Sequence, residues 1–68
     1  MTESQIEEYQ ECININLNEI KRNVNQIEPG GSNRERYGVI NSILEDIRRT
    51  IEEMWLEEYR EELKGEKQ

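Results

Sequence analysis

Histidine and phenylalanine are absent from this 68-residue chain, and Cys12, Pro29 and Trp55 are each the only residue of their kind. Without histidine, the usual acid–base group of neutral pH and the commonest metal ligand are both missing. One cysteine cannot close a disulfide within the chain, and one Cys with no His cannot supply the tetrahedral ligand set of structural zinc. Two of the devices that stabilise small domains are thereby excluded, which leaves oligomerisation or docking on a larger partner. A lone cysteine suits a reducing compartment, so a cytoplasmic location is expected. No apolar run is longer than Met54, Trp55 and Leu56, far short of the roughly 20 residues of a membrane span. Met1 is followed by the polar residues Thr2, Glu3, Ser4 and Gln5, unlike a signal peptide. Gly30 and Gly31 lack the spacing and the following lysine of a phosphate-binding loop.

What the chain does have is charge. Sixteen Asp and Glu against nine Lys and Arg give a net −7, and charged residues make up 37% of the sequence against 32% apolar. Both values depart from those of an average soluble domain, where apolar residues approach half and charged ones a quarter. So small an apolar share must be concentrated on stripes if it is to form any core.

Pro29, Gly30, Gly31, Ser32 and Asn33 are the only strong punctuation, combining a helix stop, flexible glycines and new N-cap candidates. Before them, Ile6, Tyr9, Ile13, Leu17, Ile20, Val24 and Ile27 recur every three or four residues. At about 100° per residue they fill an arc of roughly 80°, the narrow seam of a coiled-coil-like helix. Thr2 with Gln5, or Ser4 with Glu7, can form the capping box that starts it. The alternation of Cys12, Ile13, Asn14, Ile15, Asn16, Leu17 and Asn18 reads locally as a strand. The unbroken helical period on both sides and the Glu-rich neighbours favour helix instead. Ile15 then falls on the opposite face.

After the punctuation, Tyr37, Ile40, Leu44, Ile47, Ile51 and Met54 follow a heptad, with Val39 and Ile43 widening one flank. Ser32 with Glu35 and Ser42 with Glu45 are both possible capping boxes. The earlier start is favoured over one after Gly38. Gly65 is the expected C-cap. The sequence therefore predicts an all-α fold: an antiparallel hairpin of two helices, about 4–28 and about 33–64, in one domain spanning 1–68. The turn is 29–33, and 65–68 is a short charged tail.

Two helices cannot enclose a core, and the second is apolar around more than half its girth near 39–54. A homodimer of hairpins forming a four-helix bundle is the simplest closure, with Ile40, Leu44, Ile47, Ile51, Met54, Val39 and Ile43 as the self-association residues. Charge agrees with that reading. Residues 19–42 carry a net +1, whereas residues 1–12 and 52–68 together carry a net −8. Two hairpins with their turns at opposite ends would set basic against acidic.

The second helix is expected to outrun the first by about two turns, leaving 57–64 with nothing opposite. There Glu58 and Glu62 occupy the continuation of the apolar stripe, while Trp55, Leu56, Tyr59 and Leu63 move to a face rotated by roughly 100°. An aromatic amphipathic end suits a partner protein's groove. Packing of Trp55 and Tyr59 on a dimer partner or on the end of the first helix is the plainer alternative.

Chemistry is scarce. Tyr9 and Tyr37 read as seam residues, and Cys12 as a small, partly buried side chain whose Glu8 and Glu11 neighbours disfavour a thiolate. Glu7, Glu8 and Glu11, and likewise Glu57, Glu58, Glu61 and Glu62, share adjoining turns. Such spacing can hold a hard cation, but solvated charge is the better explanation. No cofactor or metal is expected, and the chain reads as a non-enzymatic protein-binding adaptor or accessory subunit. The alternative is a regulator of a nucleic-acid process. It would act through Arg34, Arg36, Arg48 and Arg49 gathered by dimerisation, or through acidic mimicry of DNA, with the net −7 opposing direct contact to phosphates. The outline is similar in shape to the hairpin dimers of the Rop family of RNA-binding plasmid regulators, although no motif of that family is present.

Overall fold

The computed structural model describes residues 1–66. Two helices, α1 (Glu3–Asn25) and α2 (Arg34–Glu66), pack against each other as an antiparallel hairpin. The result is a rod of 61 × 18 × 11 Å. The alternating stretch 12–18 is helical throughout.

Each boundary has a local cause. Thr2, in extended backbone, accepts the Gln5 N–H on Oγ1 at 3.2 Å, and its own N–H donates to Gln5 Oε1 at 2.9 Å. This capping box satisfies two of the donors that a helix N-terminus leaves free. At the other end α1 stops three residues before the expected position. Its last bonds tighten, with the Gln26 N–H reaching Asn23 O at 3.1 Å and the Ile27 N–H reaching Val24 O at 3.2 Å. The Glu28 N–H is then taken by Asn33 Oδ1 at 3.2 Å instead of continuing the ladder. Pro29 disfavours helical backbone at Glu28 in any case.

The turn that follows has the signature of type II. Pro29 is the first central residue, Gly30 has φ +77, and the Gly31 N–H closes on Glu28 O at 3.4 Å. Asn33 fastens it from outside, donating through Nδ2 to Glu28 O at 2.9 Å. The carbonyl of Asn33 accepts the Tyr37 N–H at 2.9 Å. Asn33, rather than Ser32, therefore stands before the first residue of α2, and its side chain turns back to Glu28 and Gly31 in place of the expected capping box of Ser32 and Glu35. The favoured early start holds, since Gly38 and Ser42 both lie inside α2. Gly65 does not cap: α2 runs through it to Glu66. Of the expected tail, Lys67 and Gln68 lie outside the described residues.

The overhang of α2 is shorter than its surplus of residues suggests, because the N-terminus compensates. The Met1 ammonium pairs with Glu61, so only the residues beyond Glu61 lack a neighbour. Glu57 is half-buried beside Tyr9.

Almost nothing is enclosed. Ile47, at 9% exposure, is the only buried residue among those described. Around it, the half-covered helical positions are Ile6, Tyr9, Ile13, Asn16, Ile20 and Asn23 on α1, and Arg36, Ile40, Ile43, Thr50, Met54 and Glu57 on either side of Ile47 on α2. These are two heptad lines meeting along the rod. Two of their polar members bond the preceding turn: Asn23 Nδ2 donates to Glu19 O at 2.8 Å, and Thr50 Oγ1 donates to Asp46 O at 3.0 Å.

Candidate interaction surface

The contact line does not coincide with the apolar stripe. On α1 the hairpin half-covers Asn16 and Asn23 but leaves Leu17 and Val24 exposed, each at 47%. On α2 it covers Ile40, Ile43, Ile47 and Met54 but leaves Tyr37, Leu44 and Ile51 out. With residues spaced by about 100°, each stripe is centred away from the contact line, by about 30° on α1 and about 60° on α2.

Both stripes lean to the same side of the rod. In antiparallel helices, rotation toward higher angle on each carries the two stripes onto one face. An open groove of about 480 Å³ locates that face, for it is lined by Ile13 of α1 together with Ile51, Met54 and Trp55 of α2. The reverse side is polar. Asn23 meets Arg36 and Val39 there, and Tyr9 meets Glu53, Leu56 and Glu57. Of the residues expected to mediate self-association, Leu44 and Ile51 thus belong to the open apolar face. Ile40, Ile43, Ile47 and Met54 serve the hairpin's own seam, and Val39 stands on the reverse flank.

The C-terminal aromatic segment is displayed, as a second surface. Trp55 is 73% exposed, and Leu56, Tyr59 and Leu63 are exposed beside it. At helical spacing the four occupy an arc of roughly 100° directed away from α1. Trp55 borders the groove, Leu56 turns toward the reverse side near Tyr9, and Tyr59 and Leu63 point outward. Neither Trp55 nor Tyr59 packs on the end of α1.

The arginines are not gathered within one chain. Arg36 is half-buried and donates to Gln26 Oε1 near the turn. Arg48 is held between Glu45 at 3.8 Å and Glu52 at 3.2 Å. Arg49 shares a polar surface with those same carboxylates, and Arg34 lies 14 residues from Arg48, about 21 Å along the helix. Among the described residues no group of three or more His, Cys, Asp or Glu is placed to hold a metal ion. Cys12 is exposed rather than partly buried, because its position on α1 faces away from both α2 and the groove. No helix among the described residues is long and apolar enough to cross a membrane.

Some features of this surface were missed by periodicity. Asn33, Gln26 and Arg36 shape the turn through side-chain geometry that a hydrophobic pattern does not encode. Met1 reaches α2 because the capping box directs the chain back over the open end. No family model, curated protein or solved structure matches the chain.

Proposed function

We propose that this chain is a non-enzymatic interaction module: a homodimeric helical adaptor or accessory subunit that offers the outward side of α2 to a partner protein. The observation that carries the reading is the exposure of Trp55, at 73%, within a cluster of Leu56, Tyr59 and Leu63, where among the described residues only Ile47 is buried. Large exposed apolar patches mark interaction sites, and Trp and Tyr are the residues around which binding energy concentrates. The charge of the open end adds selectivity, because an acidic rim favours a groove with basic surroundings. Pairing of Arg48 with two carboxylates and of Arg36 with Gln26 leaves the nucleic-acid alternative without a basic patch on the single chain.

The test is affinity capture from the native cell with the wild-type chain and with the double variant Trp55→Ala, Tyr59→Ala, each checked for helicity by circular dichroism. A partner retained by the first and lost by an equally helical second supports the reading. Identical captures from both contradict it.

A further inference from the structure

We infer that the face carrying Leu17, Val24, Leu44 and Ile51, with Trp55 at its border, is covered by a second copy of this chain, turned end for end about a twofold axis that crosses the rod level with Asn14 and Arg48. The inference rests on the interaction-module reading and assigns the self-association to a face, an orientation and a register.

Area comes first. The chain exposes 5952 Å², whereas a folded monomer of its 8.2 kDa exposes about 4,500 Å². The excess, about 1,400 Å², is what one partner of an obligate homodimer typically buries. An apolar stripe contributed by both helices to one side is also what a four-helix core requires, since each helix there touches two neighbours.

Charge then selects the orientation. If the two turns lay at the same end, α1 would cover the partner's α2, and Glu3 and Glu7 would meet the partner's acidic open end. With the turns at opposite ends, α1 lies antiparallel on the partner's α1, and α2 on the partner's α2. The like-charged ends separate, which favours this arrangement.

The midpoint of α1 sets the register: Asn14 is central in Glu3–Asn25, so an axis at its level overlaps α1 along its whole length with the partner's α1. Counting inward from the Met1 and Glu61 pair, or from the Gln26 and Arg36 pair, places Asn14 level with Arg48. An axis at that level sets Lys21 beside the partner's Glu7 on the α1 side. On the α2 side it sets Arg34 beside the partner's Glu62. Lys21, Glu7 and Asn14 all flank the Leu17 side of α1 at helical spacing. At the axis, Arg48 already holds Glu45 and Glu52, so the two arginines approach each other among four carboxylates. The polar reverse side, with Cys12, remains in solvent.

Two measurements on the full chain test this. First, Asn14 sits on the axis, so the variant Cys12→Ser, Asn14→Cys should convert to a disulfide-linked dimer under mild oxidation. The native chain, with its Cys12 on the far flank, should not. Second, Lys21→Glu and Glu7→Lys should each raise the dimer dissociation constant about threefold or more, and the double variant should restore it. Within one chain these two residues are 14 positions, about 21 Å, apart and cannot compensate each other. Linkage with rescue supports the inference. A sedimenting dimer showing neither would overturn the face and orientation while leaving the homodimer reading standing. A folded monomer would overturn both.

Discussion

Asn16 turns toward α2 and is half-covered, while its neighbour Leu17 turns away and stays 47% exposed. A hairpin that existed for its own sake would reverse the two. Burying an apolar side chain contributes about 1.5 to 3 kcal/mol, and seating an asparagine in a helical seam lowers stability in exchange for a defined register. Substitution should therefore separate the roles. Leu17→Ala should weaken self-association by about 1 to 2 kcal/mol per protomer, whereas Asn16→Ala should change stability by less than about 0.5 kcal/mol. Concentration-dependent thermal melts followed by circular dichroism distinguish these outcomes.

The two glycines flanking the start of α2 should respond in opposite directions. Gly30 sits at φ +77, where a side chain is strained whatever the space around it, and Gly30→Ala should lower stability by about 1 to 2 kcal/mol. Gly38 lies inside α2 with nothing near the position of an added Cβ. There alanine should raise stability by about 0.5 to 1 kcal/mol, because it restricts the unfolded chain and favours helix. Urea titration of the two variants measures both signs.

Asn33 holds the turn by donating to Glu28 O and accepting the Glu28 N–H. Its replacement by alanine leaves those groups to water and should cost about 1 to 2 kcal/mol. Asn33→Asp retains the acceptor and loses the donor, so it should fall between wild type and alanine in the same titration.

The capping box at Thr2 and Gln5 also positions Met1 against Glu61. Thr2→Ala should cost about 1 kcal/mol and fray the open end. Hydrogen exchange resolved by residue should show faster exchange at residues 3–7, with residues 40–47 unchanged.

The periodicity of the sequence was sufficient for the two helices, their antiparallel hairpin and the early start of α2, because spacing and a few cap residues determine each. It misplaced the end of α1, since whether Ile27 and Glu28 stay helical depends on competition from the Asn33 side chain. It gave Gly65 a capping role because glycine usually ends helices, yet α2 continues to Glu66. The expected seam also grouped Leu17 and Val24 with Ile13 and Ile20, correctly as one stripe. A stripe states which residues avoid water without stating how many neighbours share it. Only the placement of α2 shows that the hairpin covers one edge and leaves the other open.

An open apolar face that is half of a core is tested by sedimentation equilibrium on the unmodified chain. At micromolar concentration and moderate salt such a face predicts a single helical species of twice the 8.2 kDa chain mass. A fully helical species of one chain mass, holding its structure at tens of micromolar, would contradict it.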